Sequence, residues 1–175
     1  LRPGTDAFLM AAMLGVIVQE NLHDRAFLDE HCTGFDAIER ELAERTAAIE
    51  AQSHGVLLRA ADLDAPRILV GGDVHRRVGR HAATYYTAAG PVVVERSIYR
   101  PAGGKGGRTV DPVSLRVGVV GDGWLPHAAR SMAFLIQQGT AREAAATASE
   151  LGRLPYGHAS FDRVAHAVAT LFQEH

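Results

Sequence analysis

Cysteine is nearly absent: Cys32 is the only one in 175 residues. No internal disulfide can form, and a metal cage or cluster built from cysteines is excluded. A reducing, cytoplasmic setting is the matching expectation. Aromatic residues are sparse, at 6% of the chain. Long apolar runs are missing as well. The longest, Ala7 to Val18, has twelve residues, against the roughly 20 that a membrane-crossing helix needs. No small-residue cleavage pattern follows it, so neither a membrane partner nor a signal peptide is expected. The GxxxxGK[ST] spacing of a phosphate loop is lacking. His75, His81, His127, His158 and His166 lack zinc-ligand spacing, so no metal site is assigned.

Hydrophobic residues make up 47% of the chain, enough for a core, and the formal net charge is only −2. That balance conceals an asymmetry. Asp24 to Asp64 holds ten acidic and four basic residues, a balance of −6. Val74 to Val110 holds seven basic residues against Glu95 alone, a balance of +6. A local basic block in a near-neutral chain suits contact with a polyanion. The start at Leu1, not Met, reads as that of a fragment or a shifted reading frame.

Periodicity gives the organisation. Thr5 or Asp6 caps a helix from Ala7 to about Gln19 that is apolar nearly all round, a helix for the interior of a large protein. A short helix follows from Asp24 to His31. Residues 37–61 form a long helix, suited to packing or to a homo-oligomer. Glu41 and Arg45 pair across one turn, and Gly55 weakens its centre. Ile68 to Val70 is a strand closed by Gly71-Gly72-Asp73, and Arg76 to Arg80 its return. Ala83 to Thr87 and Val92 to Arg100 are hairpin arms around an Ala89-Gly90-Pro91 turn. Residues 101–108 form a glycine-rich loop. A turn and a brief apolar stretch lead to a helix with Pro126 in its first turn, whose buried stripe is Ala129, Met132, Ala133 and Ile136.

The last stretch, Gly139 to Phe172, has the layout of a helix-turn-helix, or of an ordinary helical hairpin. Thr140 and Glu143 have capping-box spacing. Gly152 suits a left-handed helix end, and Pro155 blocks resumption. A second helix starts near Ser160, with Phe161, Val164, Ala165, Val168, Leu171 and Phe172 on one stripe and Asp162, Arg163 and His166 opposite. The expected fold class is α+β: a small antiparallel hairpin sheet flanked by helices, ending in a helix-turn-helix-like pair. The segments are 1–37, 38–66, 67–110 and 111–175.

Two stretches resemble known families. PGTD followed by an all-apolar helix and ENLHDRAFLDEHCTGFD resembles the molybdopterin oxidoreductases of the formate dehydrogenase, nitrate and dimethyl sulfoxide reductase group. The resemblance implies that Gly4, Thr5 and Asp6 form a turn on the side of the molybdopterin guanine dinucleotide. Residues from about 38 to 175 resemble the N-terminal half of an ISKra-type insertion-sequence transposase. The motifs are RRVGR, ATYYTAAGPVVVERSIYR, TVDPVSLRVGVVGDGWLP and QQGTAREAAATASELGRLPYGHASFDRV. That resemblance implies a DNA-recognition region whose catalytic nuclease half, with its divalent metal ions, lies beyond His175.

The favoured expectation is therefore a truncated transposase region that binds double-stranded DNA. Arg163 and His166 would read the groove; Arg142, Arg153 and His158 would hold phosphates. Arg76, Arg77, Arg96, Arg100, Lys105 and Arg108 would add sequence-independent contacts. No residue is assigned to catalysis, because Asp111 and Asp122 have the setting of turn residues. The alternatives are a molybdopterin oxidoreductase fragment and an inert junction product.

Overall fold

The computed structural model describes residues 6–103 and 107–173. Among these the fold is α+β, with seven helices and one three-stranded antiparallel sheet in the order β1-β2-β3. The chain divides into two compact units, Leu1–Ile49 and Glu50–His175.

The first unit holds α1 (Asp6–Gln19), α2 (Arg25–His31) and the opening turns of α3 (Phe35–Ala61). Asp24 caps α2 by accepting the Phe27 N–H at 3.0 Å. Arg25 then binds Glu39 at 2.9 Å, Asp29 at 3.0 Å and also Asp36, and lies over the Phe35 ring. Glu39 first, then Asp36 and Asp29, hold its pKa above the ordinary arginine value. In α1, Met10, Met13 and Val16 are each more than half exposed. A helix built for an interior therefore shows apolar side chains to water.

The second unit begins within α3, which runs unbroken through Gly55. That glycine is buried, and a Cβ there would lie 3.6 Å from Val92. Its role is close packing of helix on strand. The sheet comprises β1 (Arg67–Val70), β2 (Asp73–Thr87) and β3 (Gly90–Pro101). Where the sequence suggests two separate arms, β2 is one strand. An extra residue, Val78, bulges out of its ladder and lets pairing continue. The hairpin turn is Ala88-Ala89, one residue earlier than expected, with Thr87 paired to Gly90. Thr87 fixes it, its hydroxyl donating to the Gly90 carbonyl and accepting the Ala89 N–H.

The brief apolar stretch after Val110 is α4 (Pro112–Val117), capped by Asp111. Next come α5 (Pro126–Ile136), α6 (Ala141–Glu150) and α7 (His158–Gln173). Two buried clusters result. Leu58, Tyr85, Val92, Val94 and Val113 form one. Trp124, Ala128, Met132, Ala148, Phe161 and Val164 anchor the other, where α5, α6 and α7 meet. Gly123 makes the approach of its loop to β2 feasible. It has φ +118° and a Cβ there would meet the Thr84 carbonyl at 2.6 Å. Its own carbonyl accepts the Tyr86 N–H at 2.8 Å.

The terminal helix pair carries the expected capping box, Thr140 with Glu143. These hydrogen bonds hold the Glu143 carboxyl below its usual pKa. The connection between α6 and α7 is docked on the hairpin tip. Leu154, buried and at φ +52°, donates its N–H to the Ala88 carbonyl at 2.8 Å, and the Tyr156 hydroxyl donates to the Thr87 carbonyl at 2.7 Å. It spans residues 151–157, longer than the roughly 3–4-residue turn of a DNA-reading motif. α7 starts at His158, two residues before the expected Ser160. Its stripe is buried at Phe161 and Val164, but Leu171 and Phe172 are exposed. With 16 residues against 11 and 10, α7 outruns the helices it packs on.

Candidate functional site

Arg163 and His166 lie on the exposed side of α7, as the helical period requires. Arg163 donates to the Ala159 carbonyl at 3.3 Å and the Ser160 hydroxyl at 3.1 Å, neutral oxygens of its own helix. His166 Nδ1 lies 2.8 Å from the Asp162 carbonyl. Both side chains line a cleft of about 380 Å³ with Tyr86, Gly121, Asp122 and Trp124. Trp124 stacks on Tyr86 at 4.6 Å between centroids and meets the edge of Tyr156 at 4.7 Å. Asp122 and Asp162 share that cleft, so its field is mixed in sign. Arg142 and His158 are exposed at the starts of α6 and α7. Arg153 is bound to Glu50 at 2.8 Å, which neutralises part of its charge.

The hairpin arginines separate by face. Alternation puts Ser97 and Tyr99 on one side of β3, beneath the segment that follows α3. Asp62 accepts the Ser97 N–H and hydroxyl, and the Tyr99 hydroxyl donates to the carbonyls of Leu63 and Ala65. Arg77, opposite Tyr99, pairs with Asp64 there, and Arg80, opposite Ser97, reaches Asp62 at 3.5 Å. On the other face Arg96 pairs with Asp111. Asp111 also accepts from the backbone of Val113 and Ser114, the Ser114 hydroxyl at 2.7 Å and the Tyr85 hydroxyl at 3.1 Å. Burial pushes the Tyr85 phenol up to about 12. Asp111 is thus a structural hub, and Asp122 is exposed.

Arg76 and Arg100 remain exposed and free of carboxylate partners among the described residues, and they are directly opposite in the ladder. Arg67 of β1 is opposite Arg76 on its other side and is equally exposed. The three guanidinium stems therefore cross the sheet in one row, on the face that also exposes Leu69 and Val74. Like charges in directly opposed positions destabilise a sheet, so the row favours an anion between or above them. The Val78 bulge creates this alignment. Continued from Thr87↔Gly90 without it, the ladder would set Arg76 against Pro101. Sequence reasoning missed Arg67, although the Gly71-Gly72 turn, by pairing Val70 with Asp73, fixes Arg67 against Arg76. Arg108 is exposed, while Lys105 lies outside the described residues. So do Gly4 and Thr5, and Asp6 opens α1. Among the described residues, no three His, Cys, Asp or Glu side chains are grouped to hold a metal ion, and no helix is long and apolar enough to cross a membrane.

Comparison with known proteins bears on about a third of the chain. It is 46% identical over 55 residues to dimethyl sulfoxide reductase DmsA of Haemophilus influenzae, a match covering 31% of this chain and 6% of the reductase. Identity to Escherichia coli DmsA is 42% over 55 residues. With acetylene hydratase of Syntrophotalea acetylenica it is 35% over 65 residues, or 35% of this chain and 9% of the hydratase. The matches span under a tenth of each relative's length. No family profile and no solved structure matches the chain. A 55-residue match cannot fit within residues 1–37, so the similarity involves residues beyond Ala37. The transposase resemblance gains no support from these relatives. What they support is that part of the chain is homologous to molybdopterin oxidoreductases of the dimethyl sulfoxide reductase group.

Proposed function

We propose that the N-terminal unit is a fragment of a molybdopterin-dependent oxidoreductase, with Gly4, Thr5 and Asp6 directed to the molybdenum cofactor. The 46% identity over 55 residues carries this reading. The exposed apolar surface of α1 agrees with it, since such a helix belongs under other chain. His23 agrees too, because its Nε2 is buried without a partner among the described residues. Backbone amides at the start of a helix suit the polar groups of a dinucleotide. The test is a chimera in which the matching residues of this chain replace those of the Haemophilus reductase. The expected result is a reductase that loads molybdenum and turns over, with loading reduced several-fold by Asp6→Ala. A chimera that folds but carries no molybdenum would sink the proposal.

A second reading concerns the other unit, and the arginine row favours it. In this reading, the residues from about 38 onward that the reductase similarity does not cover are a transposase-type region without its nuclease half, and they bind double-stranded DNA. Arg67, Arg76 and Arg100 contact phosphates, and Arg163 contacts a base edge. Fluorescence anisotropy against salt separates these roles. The triple Arg67→Ala, Arg76→Ala, Arg100→Ala variant is expected to weaken binding to all duplexes. Its salt slope should fall by roughly 1 per residue. Arg163→Ala should cost about 1–3 kcal/mol of preference between terminal-repeat and random duplex. Absence of binding to any duplex at low salt would leave the second unit without this function.

A further inference from the structure

We propose that the cleft between α5 and the α6–α7 connection docks an acidic amphipathic helix of a partner protein. The cleft holds about 480 Å³. One wall is His127, Arg130, Ser131 and Phe134 of α5, at i, i+3, i+4 and i+7, a single helical face two turns long. Ala88, Ala148 and Leu154 line it as buried apolar residues. At the rim, Phe134 is 61% and Leu151 66% exposed, large apolar surfaces left in water by the monomer.

Charge selects the occupant. Among the described residues, the lining contains His127, Arg130 and Arg153 and no carboxylate. Arg130 is exposed and has no partner among the described residues, and Arg153 meets only Glu50, from outside the lining. An apolar trough edged by cations from both α5 and the α6–α7 connection complements a helix with an apolar stripe flanked by Asp or Glu. Duplex DNA fits less well, because its phosphates offer nothing to the apolar lining. A small carboxylate would fill the trough yet leave Phe134 and Leu151 wet. The cleft shares no residue with the arginine row, and this inference does not depend on either functional reading above.

The experiment titrates the full chain into a labelled helical peptide with leucines at i, i+4 and i+7 and glutamates elsewhere. The same peptide with lysine for glutamate is the control, and decanoate and a duplex oligonucleotide are competitors. Saturable binding of the glutamate peptide alone is expected, displaced by neither competitor. Phe134→Ala should weaken it about tenfold, as for an anchor residue. Arg130→Glu should weaken it similarly and shift preference toward the lysine peptide. Both positions are exposed, so unchanged thermal unfolding certifies the fold of each variant. Equal binding of the two peptides, no binding at low salt, insensitivity to both substitutions, or displacement by decanoate or the oligonucleotide would each overturn the proposal.

Discussion

Phe161→Ala is expected to lower the unfolding free energy of the second unit by about 3–5 kcal/mol, the range for emptying a fully buried aromatic site. Phe161 has no exposed surface and sits in the cluster that joins α5, α6 and α7. Phe172→Ala, on the same sequence stripe but 80% exposed, should stay within about 0.5 kcal/mol. Since domains are stable by only about 5–15 kcal/mol, the first change removes a large share and the second almost none. Urea unfolding reads the difference through Trp124, the only tryptophan, which lies in the same cluster as Phe161. Similar losses at both positions would mean that α7 is covered along its whole length.

That contrast marks where sequence periodicity stops being informative. The 3.6-residue period correctly places Phe161 and Val164 inward, and the Thr140 to Glu143 spacing correctly predicts a reciprocal cap. Local signals with a local cause were legible. Helix length relative to neighbouring helices is a tertiary quantity, and periodicity carries no trace of it. The exposure of Leu171 was therefore invisible. Gly55 misled for a related reason. Its low helix propensity is real, but proximity to Val92 outweighs it, and that proximity exists only once helix and strand have packed.

The basic block was legible as composition and not as a site. Counting charges gives seven cations between Val74 and Val110, but it cannot say which meet carboxylates. Alternation along β3 separates Arg96 from Tyr99, and the segment after α3 supplies Asp62 and Asp64 to one face only. Arg77, Arg80 and Arg96 thereby acquire acidic partners, and among the described residues Arg76 and Arg100 do not. A one-residue bulge, with no distinctive signature in the sequence, decides that Arg100 stands beside Arg76. The relation of part of the chain to the reductases was legible as a resemblance in the order of its motifs. Of the residues proposed to face the cofactor, Gly4 and Thr5 lie outside the described structure.

Asp111→Ala is expected to cost the second unit roughly 3 kcal/mol or more: about 1 for the lost α4 cap, and about 2 for the phenol left without its acceptor and the guanidinium left without its counter-charge. The Asp111 and Arg96 side chains are only 14% and 22% exposed. Water therefore replaces the missing carboxylate poorly, and the loss exceeds that of a surface pair. Asp111→Asn keeps a good capping residue and discards the charge, so it should fall between the parent and the alanine variant. Asp122→Ala, exposed in its turn, should change stability by no more than about 0.5 kcal/mol. Parallel denaturation curves of the three variants test the division of roles. Asp111 carries a structural load because four donors and one cation converge on it. A carboxylate so committed has little capacity left to ligate a metal. If Asp111→Ala unfolded like Asp122→Ala, those contacts would be incidental, and Asp111 would return as a candidate for chemistry.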